Sequence, residues 1–395
     1  MATLVPLAKR LNQIKSFHVM ALLDRAKQLE SQGRDIIHLE VGEPDFPTPD
    51  NVVQAGIRAM SAGQMRYTAP TGLPELKRAI ADFYRARYGV VLDWRRVVVT
   101  PGASGAISLV TALLFNPGDG VLLADPGYPC NDNFLHLLGA QPQRVATGPE
   151  SRYQLTAAQV RHHWRDNTRG AWVASPSNPT GTLLSLAELG AIQAEVDSRS
   201  GALLVDEIYH GLTYGLEAET ALALPDRSNS LFVINSFSKY FNMTGWRLGW
   251  LVAPERYVEP LDRMAQNFFL APPTVAQHAA LEAFSPQSIA LYEQRREILH
   301  QRRDFLVREL PALGIRLPCV PQGAFYLYCD VSAITRDSFA FCGQVLEQTG
   351  VAITPGIDFG DHEANHHVRI AYTADLDRLA QAVARLRDFI ARGGA

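Results

Sequence analysis

The sequence predicts an α/β fold with a largely parallel sheet, followed by a smaller α+β domain. Short apolar, β-rich runs alternate with longer helical stretches through the middle of the chain, an order typical of parallel strands joined by helical crossovers. The pattern changes near residue 286, where a long charged helix precedes short strands and a final amphipathic helix. We therefore expect a large domain over residues 48–285 and a small domain over 286–395, with residues 1–47 packing beside the small domain.

Six runs are candidate strands of the large domain, and most are almost wholly apolar, as expected for strands covered on both faces. They are residues 96–100, 121–125, 171–175, 202–207, 231–236 and 248–253. Residues 106–115 predict a helix that stops at Asn116-Pro117-Gly118. In the small domain, the predicted elements are a helix over about 286–310, strand-like runs at 323–330, 351–356 and 366–372, and a last helix within 375–394.

Composition excludes several classes of function. A net charge of −3 and a pI near 6.4 leave no electrostatic footprint for nucleic acid or an anionic membrane. The apolar runs are far shorter than the roughly 20 residues that span a bilayer, and the first twenty residues lack the pattern of a secretory signal. The 4 cysteines have no C-x-x-C spacing, which favours free thiols in a reducing cytoplasm.

A lysine follows one predicted strand and precedes an arginine flanked by glycine-containing segments, in the string SFSKYFNMTGWRLGW at 236–250. An amine that condenses with a carbonyl needs desolvation or a cationic neighbour to lower its pKa, and Lys239 fits that position. Arg247 adds a planar cation suited to a phosphate, and the hydroxyls of Ser236, Ser238 and Thr244 add hydrogen-bond donors. A surface lysine in a polar turn is the alternative, but it does not account for the whole string.

A second phosphate-binding element is predicted at a strand-to-helix turn. Ala103, Ser104 and Gly105 follow the strand that ends near residue 100 and open the next helix. Small residues let the backbone approach an anion, and a helix N-terminus offers free N–H groups. The turn is neither G-x-G-x-x-G nor a Walker loop, which argues against a dinucleotide or a nucleoside triphosphate.

Asp206 ends an apolar strand, where an unpaired charge is costly. A lysine amine, a phosphate cradle and a buried acid together suit pyridoxal 5′-phosphate (PLP), whose ring nitrogen is held protonated by a carboxylate. Tyr209, three residues on, is placed to hydrogen-bond the ring's phenolic oxygen. The competing acid is Glu207, and strand alternation lets only one of the two face the site.

Two further strand ends carry candidate ring contacts. Asn178 precedes a proline and is held extended, so that its amide reaches towards a ring substituent. Tyr128 offers an aromatic face for stacking on a flat ring. Plain turns are the alternative at both positions. The candidates nevertheless converge on the carboxyl ends of successive strands, where open α/β sheets bind ligands.

These motifs together resemble the class I/II aminotransferases of PLP fold type I, the aspartate-aminotransferase-like family. The resemblance covers nearly the whole chain and includes Gly42–Phe46 (GEPDF), Tyr67 in RYTAPTG and Arg369 in HVRIA. It implies a seven-stranded sheet in the large domain, PLP as cofactor, and a cytoplasmic homodimer with shared active sites in amino acid metabolism. It also implies transfer of an amino group from an L-amino acid to a 2-oxo acid by a ping-pong mechanism.

The resemblance assigns roles residue by residue. Lys239 is similar to the lysine that holds PLP as a Schiff base and carries the proton, with Asp206 and Tyr209 as its catalytic partners. The cofactor contacts it implies are Ala103, Ser104, Gly105, Tyr128, Asn178, Asp206, Tyr209, Ser236, Ser238, Lys239, Arg247 and, from a partner subunit, Tyr67. The resemblance also implies that Arg369, with Asn178 and Gly42, binds the substrate α-carboxylate. Ala103-Ser104-Gly105 departs from the family's more usual Gly-Gly-x-Gln, and no further cation is assigned to a substrate side chain.

Other functions remain as alternatives. A carbon–sulfur β-lyase would use the same cofactor and the same lysine. The run at 362–366 matches the H-E-x-x-H of zinc proteases but leaves little room for the helix that this motif needs, so we expect no metal. Residues 102–106 miss the G-x-S-x-G of serine hydrolases at their last position. A PLP-sensing regulator would need a DNA-binding module, and the sequence shows none.

Overall fold

The computed structural model of the chain describes residues 5–16 and 18–394, so residues 1–4 of the predicted N-terminal segment lie outside the described part. Within that part, the strands are β1 (Ile37–His38), β2 (Val97–Thr100), β3 (Gly120–Asp125), β4 (Gln141–Ala146), β5 (Thr168–Ala174), β6 (Ala202–Asp206), β7 (Leu231–Ser236), β8 (Gly249–Val252), β9 (Tyr326–Asp330), β10 (Val351–Ala352), β11 (Thr354–Pro355) and β12 (His367–Ala371).

The α-helices of the same described residues alternate with the strands through the large domain. They are α1 (His18–Ser31), α2 (Asp50–Ser61), α3 (Pro74–Tyr88), α4 (Gly102–Leu114), α5 (Pro129–Leu138), α6 (Ala157–His163), α7 (Leu186–Asp197), α8 (Val258–Phe268), α9 (Thr274–Glu282), α10 (Pro286–Glu309), α11 (Ser338–Thr349) and α12 (Leu376–Ala391). None of these helices is both long enough and apolar enough to cross a membrane.

The large sheet has 7 strands in the order β2-β8-β7-β6-β5-β3-β4. Strands β3 to β7 pair in parallel, whereas β8 runs antiparallel to both of its neighbours. The mostly parallel, seven-stranded sheet that the sequence predicts is therefore confirmed. Strand β4 is not recognisable in the sequence because it is not an apolar run. It lies at the edge of the sheet, where Gln141 is exposed and Arg144 is half-buried. Polar residues are tolerated at such an edge.

The strands read as continuous apolar runs because helices cover both faces of the sheet. Along β6, Leu203 and Val205 belong to one hydrophobic core and Leu204 to the other. Strand alternation thus sends every second side chain into a different core. The first core also continues into the small domain.

The small domain joins the two ends of the chain. Its antiparallel sheet has the order β11-β12-β9, and β1 of the N-terminal segment pairs in parallel with β10, Ile37 lying opposite Val351. The predicted small α+β domain built from the C-terminal part and the N-terminal segment is confirmed. The helix α10 begins at Pro286, after the cap residue Ser285; the boundaries 1–47, 48–285 and 286–395 themselves stay a prediction.

Candidate active site

A cavity of about 320 Å³ opens at the carboxyl ends of the parallel strands, with α1 and β12 of the small domain on its other side. Twelve of the fourteen predicted site residues line it: Gly42, Ala103, Ser104, Tyr128, Asn178, Asp206, Tyr209, Ser236, Ser238, Lys239, Arg247 and Arg369. Gly105 and Tyr67 do not. The fold therefore brings together residues that are spread over more than 300 positions of the sequence.

Lys239 follows β7 and projects its amine into the cavity. Its Nζ donates a hydrogen bond to the carbonyl of Gly42 across 2.6 Å. Burial lowers the pKa of the Lys239 amine to about 8; the carboxylate of Glu43 opposes this shift, and the guanidinium groups of Arg369 and Arg247 add to it. A substantial neutral fraction near neutral pH is what a nucleophilic amine requires.

The N-terminus of α4 and the side chain of Arg247 form one anion cradle. A Cβ on Gly102 would lie 2.7 Å from Nη2 of Arg247, so the arginine approaches the first residue of the helix closely enough to exclude a side chain. Arg247 Nη1 donates to the carbonyl of Thr244 at 3.1 Å, which fixes the orientation of the fork. Cation, helix dipole and free N–H groups all favour a phosphate here.

Two hydroxyls border this cradle. Ser236 is buried at the end of β7, and its Oγ donates to the Oγ of Ser238 at 3.0 Å. Ala103 and Ser104, in the first turn of α4, line the cavity beside them. The N–H of Gly105 donates to the carbonyl of Pro101 within the helix, and the predicted contact of Gly105 with the cofactor stays a prediction.

Asp206 ends β6 inside the cavity and is nearly inaccessible to solvent. Burial raises the pKa of its carboxyl to about 6, against the backbone N–H of Ile208 and the cation of Lys239, which favour the ionised form. The N–H of Ile208 donates to Oδ1 at 3.0 Å, which leaves Oδ2 with no hydrogen-bond donor among the described residues. A protonated ring nitrogen would partner this carboxylate and stabilise its charge.

The neighbouring acid, Glu207, points away from the cavity. Its carboxylate accepts hydrogen bonds from the hydroxyl of Thr220 and the N–H of Ala221, and burial raises the pKa of Glu207 to about 8. Alternation along the strand thus separates Asp206, at the site, from Glu207, in the core.

Tyr209 and Tyr128 contribute aromatic surface at the cavity. The hydroxyl of Tyr209 pairs with the hydroxyl of Tyr326 at 2.8 Å, and the two rings meet edge to face. Tyr128 caps the start of α5 and is 37% exposed, so its ring is accessible from the cavity. Sequence reasoning missed Tyr326, which lies in the predicted strand at 323–330 and whose only signal was its place in a β-rich run.

Arg369 lies on β12 and is buried. Its Nη1 donates to Oδ1 of Asn178 at 3.0 Å, and its Nη2 donates to the carbonyl of Glu40. Its Nε has no hydrogen-bond partner among the described residues, although it is buried. A buried guanidinium with an unused donor in a cavity is suited to bind a carboxylate.

Tyr67 lies outside the cavity of its own chain. It is in the segment between α2 and α3, and 80% of the surface of this residue is exposed to solvent. A large aromatic residue this exposed contributes nothing to the site of the same chain, so its predicted contact requires a second subunit. That requirement leaves the assignment of Tyr67 a prediction.

The predicted strand at 366–372 and the H-E-x-x-H run occupy adjacent backbone. His362 lies in a turn, and His366 ends a short 3₁₀ helix over Ala364–His366 directly before β12. The two histidines therefore do not share the face of an α-helix. No group of three metal-ligating side chains occurs among the described residues.

Sequence reasoning also missed one wall of the cavity. Val19, Met20 and Leu23 of α1 line it, as do Asp358 and Phe359 from the segment between β11 and β12. The apolar pattern of Val19, Met20 and Leu23 is indistinguishable from ordinary helix amphipathicity. Asp358 and Phe359 lie between the runs recognised at 351–356 and 362–366 but belong to neither, so only the fold reveals where these side chains lie.

Comparison with known proteins agrees with this geometry. The sequence profile of the family "Aminotransferase class I and II" matches residues 34–386. The valine–pyruvate aminotransferase of Mycobacterium tuberculosis (strain ATCC 25618 / H37Rv) is 38% identical over 377 residues, which cover 95% of this chain and 97% of the relative. The aspartate aminotransferase of Geobacillus stearothermophilus is 34% identical, with 97% of this chain and 98% of the relative covered.

Solved structures show the same architecture. The crystal structure of an aminotransferase from Mycobacterium tuberculosis superimposes with a TM-score of 0.94 at 37% identity, covering 98% of this chain and 100% of the other. The chain belongs to the class I and II aminotransferases, transferases that use PLP as their cofactor. The alternative of a carbon–sulfur β-lyase is not favoured, because these relatives are aminotransferases by name.

The residues present fit PLP. The cradle of Arg247 and the α4 N-terminus suits its phosphate, where Gly102 leaves no room for a Cβ beside the guanidinium. The buried carboxylate of Asp206 suits its ring nitrogen, and the amine of Lys239 suits its carbonyl carbon. The three groups lie in one cavity.

Proposed function

We propose that this aminotransferase transfers the amino group of an L-amino acid to a 2-oxo acid through Lys239, by a ping-pong mechanism. The observation that carries the proposal is the buried amine of Lys239, with its pKa lowered to about 8. It shares a cavity with an anion cradle, a buried acid and a buried arginine. When bound, PLP supplies an electrophilic carbonyl carbon and an electron-accepting ring.

The chain's own residues hold this chemistry in place. Arg247 and the first turn of α4, with Ser236 and Ser238, would hold the phosphate. Asp206 would keep a proton on the ring nitrogen, because a cation beside its buried carboxylate is the favourable pairing. Tyr128 would offer its aromatic face to the ring. Tyr209 would offer its hydroxyl, which the hydroxyl of Tyr326 orients, to the ring's oxygen substituent.

The substrate is oriented by its α-carboxylate. Arg369 binds that group, and Asn178, which accepts from Arg369 at 3.0 Å, keeps the guanidinium plane fixed. At Gly42 the backbone lies close to Tyr326, since a Cβ on Gly42 would lie 2.3 Å from the Tyr326 hydroxyl oxygen. Lys239 would be the group that takes the proton from the substrate α-carbon and donates it back, with PLP as the electron acceptor. An amine whose pKa lies near the working pH is efficient in both directions.

We further propose that the active protein is a cytoplasmic homodimer in which Tyr67 of each chain completes the site of the other. The exposure of Tyr67 supports this, as does the exposure of Met60 and Met65 near it in sequence, because large apolar patches mark interfaces. The four cysteines are unpaired in the structure, which suits a reducing compartment.

The half-reaction tests the function directly. Protein loaded with PLP should convert an amino donor to its 2-oxo acid in an amount equal to its active sites, with no acceptor present. Steady-state rates with donor and acceptor varied together should give parallel double-reciprocal lines. Release of pyruvate and a thiol from a cysteine conjugate, without any acceptor, would instead support the lyase.

Subunit mixing tests the homodimer. Tyr67→Ala and Lys239→Ala homodimers should each lose most activity, because each lacks one half of every site. A mixed dimer carries one unaltered site of its two, and random exchange of equal amounts makes about half of the dimers mixed, so the mixture should regain up to about a quarter of the wild-type activity. No restoration, together with a monomeric mass in solution, would contradict the shared site.

A further inference from the structure

We propose that Asp358 clamps the first turn of α1 so that Val19, Met20 and Leu23 form an apolar wall, which selects amino donors with apolar side chains. Asp358 is a positioning residue, and the three apolar residues determine specificity. The inference rests on the proposed function and deepens it by naming the substrate class. We refer to Val19, Met20 and Leu23 as the α1 wall.

The apolar residues of α1 divide into those that pack in the core and those that line the cavity. Leu22, Ala26 and Leu29 are buried in the core, and Val19 and Leu23 lie beside them, at helical spacing, facing the cavity. Val19 and Leu23 are half-buried, and Met20 is 52% exposed. Apolar side chains that line a cavity without being covered by protein are available to cover a ligand.

Further apolar side chains line the same cavity. They belong to Ile107 of α4, Phe134 of α5 and Phe359. An amino acid side chain that extends from an α-carboxylate held at Arg369 would meet these residues and the α1 wall. Burial of a Leu-sized side chain among them is favourable.

Asp358 fixes α1 in this position. Its two carboxylate oxygens accept from the N–H groups of His18 and Val19, both at 2.8 Å. Free N–H groups at a helix start are satisfied by a carboxylate, which also complements the helix dipole. Asp358 is buried and lines the cavity as well, so a single side chain connects the substrate site with the start of α1.

The far end of α1 has a separate anchor. Arg25 donates from Nη2 to Oε2 of Glu347 on α11 at 3.0 Å, and both side chains are substantially exposed. Exposed pairs of this kind hold a helix weakly. Core packing of Leu22, Ala26 and Leu29 holds the body of α1, and the buried contact at Asp358 holds its first turn, and hence Val19 and Met20.

The charges that this chain itself supplies to the cavity do not favour an acidic donor. The cationic residues that line it, within the described part of the chain, are Lys239, Arg247 and Arg369, and the proposed function uses all three. The wall itself carries no cation, and Asp358 adds a carboxylate at its edge. A substrate carboxylate placed there would lose its hydration without gaining a partner.

A donor panel tests the substrate class on the PLP-loaded protein. The half-reaction efficiency for leucine and methionine should exceed that for aspartate and glutamate by about 100-fold or more, and that for alanine by about 10-fold or more, as pockets discriminate by buried side chain. Equal efficiency for aspartate and leucine would overturn the wall while leaving the proposed function intact. Absence of any donor conversion would overturn the proposed function itself.

A pair of variants separates the wall from a general effect on α1. Met20→Lys places a cation in the wall and should raise the efficiency for aspartate by about 10-fold while lowering that for leucine by a similar factor. Ala21→Lys adds the same charge to the exposed side of the same helix and should change neither. Identical behaviour of the two variants would overturn the assignment.

The clamp has a readout that does not depend on activity. In PLP-free protein, Asp358→Ala should accelerate hydrogen exchange of the first-turn amides of α1 by about 10-fold, because it removes the acceptor of two N–H groups. In loaded protein it should raise KM for leucine about 10-fold and lower the preference for leucine over alanine in kcat/KM by a similar factor. Asp358→Asn, which keeps one acceptor oxygen, should restore part of both effects.

Two outcomes of the Asp358→Ala experiment would contradict the proposal. Unchanged exchange in Asp358→Ala would show that the carboxylate does not hold α1. Faster exchange with an unaltered leucine-to-alanine preference would show that α1 does not select the side chain. Either outcome would overturn the proposal, since it requires the clamp and the selectivity to change together.

Discussion

The guanidinium of Arg369 donates to the side-chain oxygen of Asn178 across 3.0 Å, although 191 residues separate the two in sequence. Arg369 lies on β12 of the small sheet and Asn178 follows β5 of the large sheet. The contact therefore joins the proposed substrate-binding arginine to a proposed cofactor contact across the two sheets. It leaves Nε of Arg369 unused among the described residues, which is a donor available for a substrate carboxylate.

Replacing Arg369 with lysine should weaken carboxylate binding selectively. The lysine keeps the charge but loses the planar fork and the contact with Asn178, so kcat/KM for an amino acid donor should fall by about 100-fold or more. The corresponding amine without a carboxylate serves as the control, and its slow reaction should change little. An equal loss for the amino acid and the amine would show that Arg369 does not bind the carboxylate.

Asp206→Asn should stabilise the PLP-free protein above pH 6. Burial raises the pKa of Asp206 from 3.8 to about 6, so protonation favours the folded state at low pH and this advantage is lost as pH rises through 6. The variant, which is neutral throughout, should gain about 3 kcal/mol over the wild type at pH 8 and almost nothing at pH 3.

Chemical denaturation at the two pH values measures this difference. The same substitution should weaken PLP binding, because it removes the carboxylate that pairs with the ring nitrogen. If Asp206→Asn is less stable than the wild type at pH 8, the ionised Asp206 carboxylate does not destabilise the PLP-free protein, and this prediction is contradicted.

The reactivity of Lys239 in PLP-free protein should report its lowered pKa. Because burial brings the value from 10.5 to about 8, the amine is charged below pH 8 and neutral above it. Reductive methylation followed by peptide mapping should give a half-maximal rate near pH 8 at Lys239. A Lys239 profile that still rises steeply well above pH 8 would contradict the desolvated site.

Gly42→Ala should impair the site through a steric contact. A Cβ there would lie 2.3 Å from the hydroxyl oxygen of Tyr326 and 3.3 Å from the ring carbon that bears it. The tyrosine must then move, and its hydrogen bond with Tyr209 is broken, so activity should fall about 10-fold or more at a cost of about 1–3 kcal/mol. Adding Tyr326→Phe removes the closest atom and should recover part of the loss. A double variant worse than the sum of the two would contradict this origin.

Much of the fold was predictable because its chemistry is local. Strands such as β6 and β7 are covered on both faces and are therefore recognisable as apolar runs. Asp206 ends β6 and Lys239 follows β7, where parallel strands place their carboxyl ends at one edge of the sheet. Arg247 precedes β8, which runs antiparallel to β7 and so begins at that same edge. The edge strand β4 lacks this signal, since one of its sides faces solvent. Gly105, whose N–H donates to the carbonyl of Pro101 within α4, stays a prediction made from its place in the motif.

The α1 wall and Asp358 were not predictable from sequence for a different reason. Their role depends on β1 pairing with β10, which brings the N-terminal segment beside residues more than 300 positions away. No local pattern in α1 distinguishes Val19 and Leu23 from the core positions Leu22 and Ala26. Tyr67 is the converse case, because its motif is recognisable but its proposed partner lies in another subunit.

The central claim is that Lys239 carries the cofactor. Protein incubated with PLP should be reduced with borohydride, digested and mapped by mass spectrometry. We expect one stable cofactor adduct, on the peptide that contains Lys239, and its disappearance together with the visible absorbance band and the transamination activity in Lys239→Ala. An adduct on another lysine, or a Lys239→Ala variant with full activity, would contradict the account.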